Sequence, residues 1–176
     1  MDEILKIMNK LNDIEYGFKD ANGNNLINSE NWDKDFPNFY FLLSPEELLK
    51  CKCGVCWDQV ELERNLFNDA NIDCDTYFIY IDDNKNLPSH TFLTFKLNNK
   101  YYWFEHSWYD MRGIHEYNDL GTLLNDVKVK FIDSRKNEIN PDLNYDIFMY
   151  KYNQPKYHIN CDEFYDYIKT QKKINV

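Results

Sequence analysis

The chain has 176 residues, a net charge of -10, and 14 Tyr, 12 Phe and 4 Trp. That is enough length and aromatic bulk for one core without disulfide or metal staples, so a single domain over residues 1–176 is expected. The negative charge, interrupted only by the short cluster Lys169 to Lys173, argues against a nucleic-acid surface; the acidic start and the lack of a long apolar run argue against a signal peptide or membrane anchor.

Five Cys, an odd number, fit a reducing compartment, so a cytoplasmic protein with no nucleic-acid or membrane partner is expected. Ile4, Leu5, Ile7, Met8 and Leu11 recur at helical spacing over residues 2–12. Asn22-Gly23 marks a turn in an Asn- and Asp-rich segment that reads as irregular up to Tyr40. Ser44-Pro45-Glu46-Glu47 supplies an N-cap, a proline in the first helical turn and a capping-box acid, which predicts a short helix over 45–50.

From Cys56 to Ala70, Val60, Leu62, Leu66, Phe67 and Ala70 recur at three, four and seven, with Glu61, Glu63, Arg64 and Asn68 largely between them. That pattern predicts a half-buried helix starting at the Cys. Strand-like runs follow at 75–81, 89–97 and 100–108, the last two joined through Asn98-Asn99. A helix near 118–127, a strand over 145–152 and a helix over 160–169, with Glu163 three residues after Asn160, complete the pattern. The expected fold is α+β, with the Cys helix packed on an antiparallel sheet.

Cys56 sits in Cys53-Gly54-Val55-Cys56-Trp57-Asp58-Gln59, where a glycine-containing loop meets the helix. Unpaired N–H groups and partial positive charge at a helix start favour a thiolate and offer donors to an oxyanion, including the Cys56 backbone N–H itself. A base is still required, and the hairpin supplies a candidate. A two-residue turn at Asn98-Asn99 pairs residues whose numbers sum to 197, so Phe92 opposes Glu105 and His90 opposes Ser107. His90 and Glu105 then share one face as diagonal neighbours, while His106 points the other way with Thr91, Leu93 and Phe95. A three-residue loop would reverse that parity.

These residues carry a resemblance. Gly54-Val55-Cys56-Trp57-Asp58-Gln59, then His90, then Glu105 in Lys100-Tyr101-Tyr102-Trp103-Phe104-Glu105 is similar to the transglutaminase-like superfamily of papain-like cysteine enzymes over residues 44–110. The resemblance implies Cys56 as nucleophile, His90 as general base and acid, and Glu105 as its orienting acid, with a peptide or protein amide as substrate and no cofactor or metal. Hydrolysis through a thioester is the first expectation, and transglutamination or glutamine deamidation the second. Glu stands where the family usually has Asp. No Gln or Trp upstream is an evident oxyanion donor, so Trp32 and Tyr40 are the candidates.

Other readings compete. The fold could serve as a non-catalytic binding module, or Cys51, Cys53, Cys56 and Cys74 could hold zinc, although they lack the paired knuckles of ordinary zinc sites. Cys51, Cys53 and Cys74 read more simply as packing thiols, His106 and His115 as structural, and His158 as solvent-facing. Asp58 is expected to favour the helix dipole, and Trp57 either to pack beneath the loop or to wall the cleft. The excess of Asn, Lys, Ile and Tyr suggests an AT-rich coding sequence, as in a low-GC bacterium or its phage.

Overall fold

A computed structural model describes residues 1–20, 22–83, 87–139 and 145–175. In chain order the elements are α1 (Asp2–Leu11), β1 (Glu15–Tyr16), α2 (Trp32–Phe39), α3 (Pro45–Cys51), β2 (Cys53–Gly54), α4 (Cys56–Asp69), β3 (Cys74–Asp82), β4 (Ser89–Leu97) and β5 (Lys100–Glu105). A 3-10 turn (Tyr109–Met111) is followed by β6 (Gly113–Tyr117), α5 (Leu120–Ser134), β7 (Asp146–Tyr152), α6 (Cys161–Lys169) and β8 (Lys172–Ile174). The fold is α+β, as the sequence pattern implies. Among the described residues no helix is long and apolar enough to cross a membrane.

Six strands form an antiparallel sheet in the order β6-β5-β4-β3-β7-β8. Helices α1, α3 and α4 share one core with Leu93, Phe95, Tyr102 and Phe104. Helix α5 covers the opposite face, where Leu123, Leu124, Val127 and Phe131 meet Tyr77, Phe92 and Trp103. Both faces of the central strands are therefore covered, which is why β3 is buried continuously from Thr76 to Ile81 instead of alternating.

The turn at Asn98 and Asn99 has φ of 50° and 61°. Two consecutive left-handed residues make the mirror-image turn that matches strand twist, and Asn tolerates it better than most residues. The ladder runs from Leu97–Lys100 to Leu93–Phe104 in the expected register. It stops there, and the expected Phe92–Glu105 and His90–Ser107 pairs are not part of it. Strand β5 ends at Glu105 instead of residue 108 because the Glu105 carboxylate draws the chain back, accepting from the Trp108 N–H at 2.7 Å and the Ser107 hydroxyl at 3.1 Å.

Three further boundaries differ from expectation. Helix α4 is not half-buried: Glu61 and Glu63 are each 1% exposed, and α1 and α3 share a core with Leu62 and Phe67 of the same helix. Helix α5 continues to Ser134, since Val127 and Phe131 carry its apolar stripe onward. The segment before Tyr40 contains α2 despite Pro37. There Trp32 and Phe36 stack at 5.4 Å, and tertiary packing against Phe18 and Tyr40 overrides the propensity.

Candidate active site

The thiol-bearing loop is held from three directions. Strands β1 and β2 pair in parallel, Glu15 with Cys53 and Tyr16 with Gly54. Gly54 is required there, since a Cβ would fall 2.6 Å from Leu48 Cδ1 and 2.9 Å from Asp58 Cβ. Val55 is extended and precedes the helix, and its N–H donates to Asp58 Oδ2 at 2.8 Å. Asp58 Oδ1 accepts from the Tyr40 hydroxyl and the Leu43 N–H, each at 2.9 Å. Asp58 therefore does more than favour the helix dipole; it ties α4 to the segment leading into α3. Cys56 is left as the first residue of α4, 4% exposed, with an N–H that has no acceptor inside the helix.

His90 and Glu105 meet as the register requires. His90 Nε2 lies 2.8 Å from Glu105 Oε2, and both side chains are buried. The Trp103 indole N–H also donates to Oε2, at 3.2 Å. With the Ser107 and Trp108 donors on Oε1, the carboxylate faces four donors. Nε2 is thus committed, which leaves Nδ1 as the ring nitrogen that can serve the Cys56 thiol, and Cys56 and His90 line the same cleft. Because the β4–β5 ladder ends at Leu93–Phe104, the strands part at the level where the start of α4 reaches the imidazole.

The electrostatics favour an ion pair. Burial opposes ionisation of Cys56, but the hydrogen bond and charge of His90, with the Thr91 N–H, bring the thiol below its ordinary value. Burial likewise opposes protonation of His90, but the Glu105 charge and the Cys56 bond push it up to about 9. Both shifts run in the direction of a thiolate–imidazolium pair. His106 behaves oppositely. Its Nδ1 lies 2.7 Å from Gln59 Oε1, while Gln59 Nε2 donates to Gly54 O at 2.9 Å, so Gln59 links the strand end to the thiol loop. Burial, helped by Arg112, lowers His106 to about 4 and keeps it neutral.

Cys56 and His90 open onto a cleft of about 1290 Å³. One wall is aromatic, with Trp32, Phe36 and Trp108; another is α6, with Cys161, Asp162, Tyr165 and Lys169. Trp57 lies beneath the loop, stacked on Phe164 at 4.2 Å and 2% exposed, while still bordering the cleft. Trp32 borders it too, but Tyr40 is spent on Asp58. Sequence reasoning missed Tyr16, whose hydroxyl lies 3.9 Å from Cys56 Sγ. Nothing in a two-residue strand signals its partner 38 positions away.

The remaining candidates are accounted for. Cys51 Sγ donates to Cys53 O at 3.2 Å, all five cysteines are free thiols, and no group of three His, Cys, Asp or Glu among the described residues could hold a metal ion. His115 bonds Met111 O at 2.7 Å, and exposed His158 pairs with Glu47 at 2.8 Å.

An α+β core with a cysteine at a helix start and a strand-borne imidazole–carboxylate pair beside it defines the papain-like and transglutaminase-like class. A family model described as a transglutaminase-like domain matches residues 1–134, and the chain belongs to that family. No curated protein matches the chain. The matched segment holds Cys56, His90 and Glu105, whereas the α6 wall of the cleft lies beyond it.

Proposed function

We propose that the protein cleaves an amide of a peptide or protein through a thioester on Cys56. The observation that carries the reading is the buried His90–Glu105 pair, 2.8 Å apart, with His90 lining one cleft together with Cys56 at the start of α4. The Cys56 thiolate attacks the carbonyl carbon, and the displaced electron pair moves to oxygen, within reach of the Cys56 N–H. The His90 imidazolium protonates the leaving nitrogen, the C–N bond breaks, and an acyl-Cys56 thioester remains. Neutral His90 then takes a proton from water, whose oxygen attacks the thioester and releases the carboxylic acid. Glu105 holds the imidazole in one orientation throughout.

Membership of a transglutaminase-like family supports a second reading, in which the acyl donor is a glutamine carboxamide and the thioester passes to an amine or to water. Iodoacetamide labelling near pH 6, read residue by residue by mass spectrometry, tests the shared core. Cys56 is expected to react far faster than Cys74, whose thiol burial raises to about 11; equal rates would leave a non-catalytic binding module. Ammonia release and amine incorporation on casein then separate hydrolysis of main-chain amides from chemistry at glutamine.

A further inference from the structure

The reading above supplies one backbone donor for the oxyanion, and a tetrahedral intermediate in a buried site is better served by two. The polar side chains in the first turn of α4 are not available for it: those of Asp58 and Gln59 are committed to Val55, Tyr40, Leu43, Gly54 and His106. The opposite side of the thiol is occupied by β1. From there a single hydroxyl, that of Tyr16, reaches Cys56 Sγ at 3.9 Å and borders the same cleft.

We infer that Tyr16 is the side-chain oxyanion donor of this site. The inference rests on the thiol chemistry proposed for Cys56. An oxyanion on the carbon bound to sulfur lies beside the sulfur itself, so a hydroxyl 3.9 Å from Sγ can come within the roughly 2.7–3.1 Å such a donor needs. At that length the Tyr16–thiol contact is weak, so the proton is free to turn to a better acceptor when one forms.

The backbone around Tyr16 is built to hold it there. The Glu15 N–H donates to Lys52 O at 2.9 Å, the Gly17 N–H to Gly54 O at 3.4 Å, and Asn25 Nδ2 to Tyr16 O at 3.1 Å. Asn25 reaches that carbonyl only because residue 17 is glycine: φ there is +136°, and a Cβ would fall 2.0 Å from Asn25 Oδ1. The donor is also retained across the working pH range. Tyr16 is 39% exposed as a residue, but desolvation where its hydroxyl meets the thiol, with the Cys56 charge beside it, raises it above the usual phenol value.

Two reagents that attack the same sulfur separate an oxyanion donor from a structural tyrosine. Acylation by p-nitrophenyl acetate joins sulfur to the carbonyl carbon, passes through an oxyanion and expels p-nitrophenolate. Alkylation by iodoacetamide joins sulfur to a methylene carbon, expels iodide and forms no oxyanion. For Tyr16→Phe we expect acetylation of Cys56 to slow on the order of 10²-fold, with alkylation at the same pH within about twofold of the parent. Equal slowing of both reactions would place Tyr16 on the thiol or the fold and overturn the assignment; so would an unchanged acetylation rate. A parent protein that alkylates at Cys56 without acetylating would overturn the thioester reading itself, and Tyr16 with it.

Discussion

The backbone N–H of Trp108 lies 2.7 Å from Glu105 Oε1, while Oε2 takes the His90 imidazole at 2.8 Å, so one carboxylate both ends β5 and orients the base. Glu105→Gln removes the charge and places an amide where donors converge. We expect acetylation of Cys56 by p-nitrophenyl acetate to fall on the order of 10³-fold, as when a triad acid loses its charge. Glu105→Asp keeps the charge but is one methylene short of spanning both partners, and about a tenfold loss is expected. If Glu105→Gln were unimpaired, the carboxylate would be only a strand terminator.

His90 is the main influence that lowers the Cys56 thiol against the penalty of burial. In His90→Gln burial is opposed only by the weaker Thr91 contribution, so the thiol is expected to titrate higher than in the parent. The alkylation rate of Cys56 at pH 6 should collapse and recover toward pH 10. A variant whose rate–pH profile overlays the parent would show that another group ionises Cys56.

His106 makes acid stability a separate test. Its ring is fully buried and stays neutral down to about pH 4, while the unfolded ring takes up a proton below about 6.5. A base with a lowered folded-state value contributes stability above the unfolded value and loses it as pH falls toward the folded one. From pH 6.5 to 4 that is on the order of 3 kcal/mol. His106→Asn retains a donor for Gln59 without the titration, so its urea stability should fall less steeply than the parent's over that window; parallel curves would contradict a buried neutral His106.

The part of the site legible in the sequence is the part written in periodic signals. The Cys56 helix shows in its 3.6-residue spacing, and the His90–Glu105 pairing follows from parity once Asn98-Asn99 is a two-residue turn. That parity survives even though the ladder frays before reaching either residue. Tyr16 and Asp58 belong to another kind of information. Tyr16 depends on a parallel contact two residues long, and Asp58 on donors contributed by Tyr40 and Leu43, so each is fixed by tertiary packing with no periodic trace. The expectation of a half-buried helix failed at Glu63 for the same reason: the residue is 1% exposed and lies near Glu105 of β5, a neighbour from elsewhere in the chain.

Glu63 has a buried Oε2 with no hydrogen-bond partner among the described residues, and burial first, then the charges of Glu105, Cys56 and Glu61, raise its carboxyl well above the ordinary value. An acid raised in this way contributes most in acid, and that contribution declines as pH climbs above the unfolded value of 4.5. Glu63→Met, of similar volume, should therefore stabilise the fold more at pH 8 than at pH 5. The difference grows by about 1.4 kcal/mol for each pH unit over which the folded carboxyl stays protonated and the unfolded one does not. Urea midpoints at the two pH values measure it, and an equal or reversed gain would mean the carboxyl has a partner.

All four tryptophans of the chain lie at or beside the cleft: Trp32 in its wall, Trp57 next to the thiol, Trp103 bonded to Glu105, and Trp108 against both Glu105 and the His90 ring. Intrinsic fluorescence therefore reads this neighbourhood, since no indole elsewhere dilutes the signal. Quenching by a neighbouring imidazolium or thiolate is a local effect, so titrating His90 or modifying Cys56 should change the emission at once. A stopped-flow trace without any label then counts turnover at the site, and ligands of the cleft can be screened by light alone.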